Sequence, residues 1–180
     1  AATVIKMLKG AMQQLIVGNP AILKTDIGPV IDTEAKQTID THIQKMRSKG
    51  YPVHQLMFND TASQQALAQG TFVPPTAIEL PNLDDLEREV FGPVLHIITY
   101  KYGELEQLID RINAKGYGLT MGLHTRIDET INTVIQRAEV GNLYINRNIV
   151  GAVVGVQPFG GEGLSGTGPK AGGPLYMYRL

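Results

Sequence analysis

The sequence predicts an α/β fold, a mostly parallel sheet flanked by helices. From Val94 onward, short apolar runs alternate with segments of helical spacing in the order strand, helix, strand, helix, strand. The links are short, and strands joined through a helix pair in parallel by right-handed crossovers. The 180 residues, 43% of them hydrophobic, can bury about 70% of the extended chain's surface, enough for a core without covalent staples.

The elements follow in order. Val4, Ile5, Leu8, Met12, Leu15 and Ile16 recur at helical spacing, and Gly18-Asn19-Pro20 is the expected stop. A helix with so little ahead of it leads us to expect a chain cut from something longer. Asp32 is a suitable N-cap for a second helix, with Ala35, Ile39, Ile43 and Met46 on one face and Gly50 as its stop. Its mixed-charge surface, Glu34 to Lys45, is expected to be solvated. Val53 to Phe58 and Thr71 to Leu80 read as strands, the second interrupted or edge-like because of Pro74-Pro75. The polar stretch Asn59 to Gly70 between them reads as a mobile excursion. A strand at Val94 to Tyr100 precedes a helix with Leu105, Leu108, Ile109 and Ile112 facing inward, ended by Gly116. A strand around Leu119, Met121 and Leu123 follows. Asp128 then caps a helix with Ile131, Val134, Ile135 and Ala138 inward and Gly141 as its stop. The last strand runs from Asn142 to Asn146. Ligands of such sheets gather beyond the carboxyl ends of the strands, where the segment after Asn146 would lie.

Composition removes several functional classes. With 16 Lys+Arg against 17 Asp+Glu, the formal net charge of -1 gives no global basic field to attract nucleic acid or an anionic membrane. The sequence contains no transmembrane run and no signal peptide pattern. There is no cysteine, which excludes disulfides, thiolate-bound zinc and a cysteine nucleophile within this chain. The four histidines, His42, His54, His96 and His124, have no metal-ligand spacing, and His96 and His124 lie in strand-like runs as structural imidazoles. No metal is expected. Asn59-Asp60-Thr61 fits the glycosylation pattern but has no secretory context.

Ten of the 20 glycines fall between Gly141 and Gly173. A flexible linker would not need the Val153, Val154, Val156, Phe159, Leu164 and Tyr176 found there, so the tail reads as an ordered, close-packed loop region. Gly161-Glu162-Gly163-Leu164-Ser165-Gly166 spells a dinucleotide fingerprint, yet Pro158 and Pro169 deny it the strand before and the helix after. Gly163-Leu164-Ser165-Gly166-Thr167 misses the nucleophile elbow at its last position. A complete hydrolase using Ser165 lacks a suitably spaced base.

Two segments hold candidate site residues. In Arg88-Glu89-Val90-Phe91-Gly92-Pro93-Val94, extended backbone points Glu89 and Phe91 the same way. A carboxylate can accept hydrogen bonds from both hydroxyls of a ribose, and an aromatic face packs on a flat heterocycle. The alternative is a surface Glu beside a core Phe. In Gly151-Ala152-Val153-Val154-Gly155-Val156-Gln157-Pro158-Phe159-Gly160-Gly161, small residues expose backbone N–H groups able to hold a carboxylate. Phe159 can flank an aliphatic chain. The alternative is a packed loop closing the sheet end.

Together these segments resemble the aldehyde dehydrogenase superfamily, whose members carry Glu-x-Phe-Gly-Pro and, downstream, an Asn-containing strand followed by Pro-Phe-Gly-Gly. Here those are Glu89 to Pro93, Gly141 to Asn146 and Pro158 to Gly161, in the family's order across the whole chain. Asn142 through Asn148 and Thr167 through Pro174 are similar to the L-glutamate γ-semialdehyde (Δ1-pyrroline-5-carboxylate) dehydrogenase branch. Within it, the resemblance is to the dehydrogenase domain of bacterial bifunctional proline utilization proteins. The resemblance implies a partial catalytic domain over residues 1–180, its C-terminal portion, with a glycine-rich substrate-anchoring segment at 147–174.

It also implies roles. Glu89 would bind the nicotinamide ribose of NAD with Phe91 beside the nicotinamide. Gly151 and Ala152 would anchor the substrate α-carboxylate through backbone N–H groups, and Phe159 would pack on the aliphatic part of glutamate semialdehyde. Many relatives have Ser where this chain has Ala152, which offers no hydroxyl. Asn146 and the Gly160-Gly161 turn would be structural. The family's nucleophilic Cys, its water-activating Glu and most of its NAD domain would lie upstream, so no catalytic residue is assigned here and the chain alone is expected to be inactive. FAD would belong only to a fused proline dehydrogenase domain. Partners would be the remainder of a parent chain and further copies of it, with no nucleic acid bound through this segment. The parent would be cytoplasmic or peripheral at the inner membrane. The other readings are a noncatalytic binding or assembly module on a half of this fold, and another branch of the family.

Overall fold

The computed structural model describes residues 1–58 and 61–179. It divides into two compact units, Ala1–Thr99 and Tyr100–Leu180.

In the first unit, α1 (Ala2–Met12) buries none of its residues and leaves Val4, Met7 and Leu8 exposed. It stops before the expected Gly18-Asn19-Pro20. The Ile16 N–H donates to the Asp26 carboxylate at 2.9 Å, and the Ile16 carbonyl accepts from the Asp26 and Ile27 N–H groups. Those bonds draw residues 16–18 into a short parallel bridge, Val17 to Ile27, and compete successfully with another helical turn.

The second helix, α2 (Thr33–Ser48), is built as its sequence suggests. The Asp32 carboxylate accepts the Ala35 N–H at 2.7 Å, Glu34 sits in the first turn, and Lys45 and Arg47 sit in the last. Gly50 follows at φ 80°, a conformation in which a Cβ would be strained. Ile39, Ile43 and Met46 form the inward face and pack with Val73, Ile78 and Leu80 as the core of this unit.

That core rests on a three-stranded sheet of β1 (Val53–Gln55), β2 (Thr76–Leu80) and β3 (Val94–Ile98), with β2 in the middle. β2 runs parallel to β3, Thr76 opposite Val94 through Leu80 opposite Ile98, and antiparallel to β1. Two expectations need correcting. The stretch between β1 and β2 contains a helix, α3 (Thr61–Ala68), whose eight residues, with a single large apolar side chain at Leu67, give little helical periodicity to read. Asn59 and Asp60, and with them the glycosylation pattern, lie outside the described residues. The strand after Pro74-Pro75 is central rather than edge-like. It begins one residue beyond the prolines, so their missing N–H groups fall outside the ladder. Thr76, fully buried, donates its hydroxyl to the Pro74 carbonyl at 2.9 Å and its N–H to the Pro93 carbonyl at 2.9 Å.

The second unit contains α4 (Leu105–Asn113), β4 (Tyr117–Gly118), β5 (Thr120–Leu123), α5 (Asp128–Arg137), β6 (Asn142–Ile145) and β7 (Glu162–Gly163). β5 and β6 pair in parallel through α5, the crossover the sequence predicts. Asp128 is the first helical residue rather than the cap. The capping position is Ile127, whose N–H is taken by the Thr125 hydroxyl at 3.2 Å. Ile109 and Val134 are the buried residues of α4 and α5, whereas Ile135 faces outward. Asn113 ties the ends of these helices by donating to the Arg137 carbonyl (2.7 Å) and accepting from the Glu139 N–H (3.1 Å).

The described residues do not form one mostly parallel sheet. Unit one has a mixed sheet. Unit two has a parallel pair, β5–β6, and a separate antiparallel pair, β4–β7. The antiparallel piece exists because the glycine-rich tail folds back. The Gly118 N–H donates to the Ser165 hydroxyl at 3.1 Å, and the Leu164 N–H to the Gly116 carbonyl at 2.8 Å. A Cβ on Gly141 would run into the Gly160 carbonyl oxygen, so glycine here is a matter of close approach. Asn142 donates to the Pro158 carbonyl (3.0 Å) and accepts from the Gly160 N–H (3.3 Å), while the Lys170 ammonium donates to the Gly141 carbonyl. The tail is hydrogen-bonded back onto the unit, but the apolar residues that suggested close packing do not pack. Val153, Val154, Val156, Leu164 and Tyr176 are exposed and only Phe159 is half-buried, so backbone and Asn142 contacts rather than apolar burial hold this segment.

Candidate functional site

The candidate residues fall on two segments, one in each unit. Glu89 and Phe91 share a concavity, whereas Gly151 and Ala152 on one side and Phe159 on the other are linked by chain continuity. In the first, the segment from Leu86 to Pro93 approaches β3 with its side chains alternating. Val90 turns in against the core, while Glu89 and Phe91 on either side of it are exposed. Gly92 lets the backbone pass over Ile39, where a Cβ would clash with that side chain. Glu89 and Phe91 therefore line one concavity of about 380 Å³, as their i, i+2 spacing suggests. Phe91, 80% exposed, is a surface aromatic and not a core residue. It presents a bare ring face beside a carboxylate that can accept two hydrogen bonds.

The opposite wall comes from α2 and its approach: Ile31, Asp32, Thr38, Ile39 and His42. Sequence reasoning missed these. Thr38 and His42 are spaced i, i+4 and so share a helix face, but nothing in one sequence says which strand segment that face meets. His42 Nε2 lies 2.9 Å from Nε2 of His96 on β3, with the rings edge-on at 5.1 Å between centroids. One imidazole must donate and the other accept, so the contact requires at least one neutral ring. Burial, with the His42 charge second, pushes His96 down to about 4. His42 is lowered too, by burial first and then by Lys45 and Arg88. The pair is thus neutral at physiological pH, leaving Glu89, Arg88, Asp32 and Glu34 as the formal charges on the concavity.

The second site follows β6. Asn146, at φ 55°, turns the chain and locks it to Thr125 in both directions, donating to its carbonyl (2.8 Å) and accepting from its N–H (3.0 Å). The loop beyond reaches Gly151 at φ 62° and Gly155 at φ 79°. Its base is held by Tyr144, nearly buried on β6, whose hydroxyl donates to the Gly151 carbonyl at 2.6 Å and accepts from the Gln157 amide at 2.9 Å. Within the loop, the Val156 N–H bonds back to the Val153 carbonyl at 3.0 Å. Among the described residues, the N–H groups of Gly151 and Ala152 meet no protein acceptor, and both residues are half-buried. Two adjacent free N–H groups on a glycine-initiated loop can hold an anion such as a carboxylate.

Phe159 lies farther along this segment, half-buried and fixed by reciprocal 3.0 Å bonds with the Ala171 backbone. Tyr144 and Gln157 had no sequence signal, since a Tyr on an apolar strand reads only as core. The rejected dinucleotide fingerprint is structural. Its Glu162 and Gly163 form β7 against β4, and its Ser165 accepts the Gly118 N–H. Among the described residues, no three His, Cys, Asp or Glu side chains gather as metal ligands, and no helix is long and apolar enough to cross a membrane.

Comparison with known proteins gives these two sites a context. The bifunctional protein PutA of Klebsiella aerogenes is 63% identical over 176 residues, which is 98% of this chain and 13% of that protein. The chain thus spans about an eighth of the length of the first curated relatives it matches. The crystal structure of a Bradyrhizobium japonicum proline utilization A (PutA) mutant superposes with a TM-score of 0.89 at 48% identity, over 99% of this chain and 17% of that one. A 1-pyrroline-5-carboxylate dehydrogenase from Thermus with bound NAD superposes at 0.78 and 32% identity, over 97% of this chain and 32% of that one. The family model described as aldehyde dehydrogenase matches residues 1–179. The chain belongs to the aldehyde dehydrogenase family.

Proposed function

We propose that this chain is part of an NAD-dependent dehydrogenase that oxidises L-glutamate γ-semialdehyde, the open form of Δ1-pyrroline-5-carboxylate, to glutamate in proline catabolism. The observation that carries the reading is the concavity shared by Glu89 and the exposed ring of Phe91. Their chemistry fits a nicotinamide nucleoside. The Glu89 carboxylate accepts from the two ribose hydroxyls, and the Phe91 face packs beside the flat ring. When bound, NAD supplies the hydride acceptor.

The second site fits the other reactant. The Gly151 and Ala152 N–H groups receive the α-carboxylate without help from a side-chain hydroxyl, and Phe159 flanks the methylene chain. Each parallel strand pair belongs, in the intact domain, to a mostly parallel sheet flanked by helices. The rest of the parent chain, which assembles as a homo-oligomer in the cytoplasm, contributes the attacking thiolate and the remaining NAD surface.

The test is steady-state kinetics of the parent protein. Glu89→Gln removes the charge from the acceptor and should raise KM for NAD about 10-fold, the worth of a hydrogen bond to a charged group. KM for pyrroline-5-carboxylate should change far less. In the same assay the present chain alone should yield no NADH, because it has no cysteine. Unaltered KM for NAD in Glu89→Gln, or sustained turnover by the chain alone, would overturn the reading.

A further inference from the structure

We infer that Tyr144 is a positioning residue for substrate selection, which aims the Ala152 N–H by holding the peptide that contains it. The inference rests on the reading that Gly151 and Ala152 receive the substrate carboxylate. The Gly151 carbonyl and the Ala152 N–H belong to one peptide unit, and in a trans peptide these two groups point in opposite directions. The Tyr144 hydroxyl donates to that carbonyl at 2.6 Å, from a side chain only 5% exposed and therefore fixed by its surroundings. With the carbonyl turned onto the phenol, the N–H is turned away from it, toward whatever lies outside the loop. Gly151, at φ 62° and without a Cβ, constrains the orientation of this peptide less than any other residue would.

The same hydroxyl accepts the Gln157 amide at 2.9 Å, which directs its own proton at Gly151 and ties the far end of the loop to the near end. The Arg147 guanidinium stacks on the Tyr144 ring with its carbon 4.6 Å from the centroid, a further restraint on the ring's orientation. One phenol thus sets the direction of an anion-holding N–H at a position where the side chain, Ala152, has no hydroxyl to contribute.

The experiment compares two aldehydes on the intact parent enzyme: glutamate semialdehyde, and 4-aminobutanal, the same molecule without its carboxylate. Wild type should prefer the first in kcat/KM. Tyr144→Phe, which deletes only the hydroxyl, should lower that preference roughly 3- to 10-fold, the worth of one hydrogen bond. The loss should fall on KM for the carboxylate substrate more than on kcat. Gln157→Leu leaves the phenol free to donate and should lower the preference by less, in the same direction. This second variant decides the matter if Tyr144→Phe does not fold. A folded Tyr144→Phe with undiminished preference overturns the inference alone, and so does an unchanged preference in Gln157→Leu when Tyr144→Phe is insoluble. A wild-type enzyme that treats the two aldehydes alike overturns the underlying carboxylate reading, and the inference with it.

Discussion

His42 and His96 meet although they lie 54 positions apart in sequence, and their contact sets a pH dependence. His96 titrates at about 4 when folded against 6.5 when free, and His42 is also lowered. Between those values the unfolded chain binds more protons than the native one, so stability rises with pH there. The contribution is complete above pH 6.5 and is lost as pH falls toward 4. Discounted for the partial exposure of His96 to solvent, its size is on the order of 2 kcal/mol. The groups facing the pair explain the direction: Lys45, Lys49 and Arg88 disfavour a charged His42, and Glu87 opposes them only in part. A series of urea unfolding midpoints from pH 7 to pH 4 should show this decline, and His96→Phe should flatten it. A slope unaffected by His96→Phe would show that other groups govern the acid limb. At this scale the sequence was least informative. Glu89 and Phe91 were legible as a pair because the backbone period is local, whereas His42, His96 and Tyr144 take their roles from partners that no spacing encodes.

Elements were legible where one periodicity dominates. α2 was readable from cap to stop because Asp32, its Ile39, Ile43 and Met46 face and Gly50 agree with one another. Removing the cap by Asp32→Ala should cost about 1 kcal/mol, seen as a lower unfolding midpoint, while Asp32→Asn should retain most of it. Equal losses in both variants would assign the effect to charge rather than to the hydrogen bond with Ala35. α3 was not legible, because eight residues with one large apolar side chain, Leu67, give no repeat at helical spacing to detect. The end of α1 was misplaced because the Asp26 side chain captures the Ile16 N–H from outside the local pattern. β4 and β7 were missed as a pair for a similar reason. Two-residue strands have no alternation, and their pairing depends on the Ser165 hydroxyl and on the tail folding back.

For the molecule as a whole, the unburied surface is the informative quantity. α1 buries no side chain, and Met7 is 68% exposed on it. Near the end of the second unit, Leu175, Met177 and Tyr178 are exposed as well. Apolar area of this extent is uncommon on a lone soluble domain and marks surfaces made to be covered. The isolated chain should therefore self-associate. Sedimentation velocity should resolve a concentration-dependent shift toward larger species, and a purely monomeric profile at high concentration would refute it. Family membership was legible from ordered motifs spread along the chain. The opposing wall of the Phe91 concavity was not, since α2 reaches it only through tertiary packing.

The Tyr144 clasp has a consequence for how this loop can diversify. Because Gly151 and Gln157 are joined through one phenolic oxygen, the stretch between them is closed at its neck. Its tip residues, Val153, Val154 and Val156, project into solvent. Length and sequence at that tip can vary without disturbing the strand beneath, much as one bead can be exchanged on a wire whose ends stay crimped. A library randomised at those three valines, with Tyr144 and Gln157 retained, should keep the wild-type unfolding midpoint, whereas one randomised at Tyr144 should not.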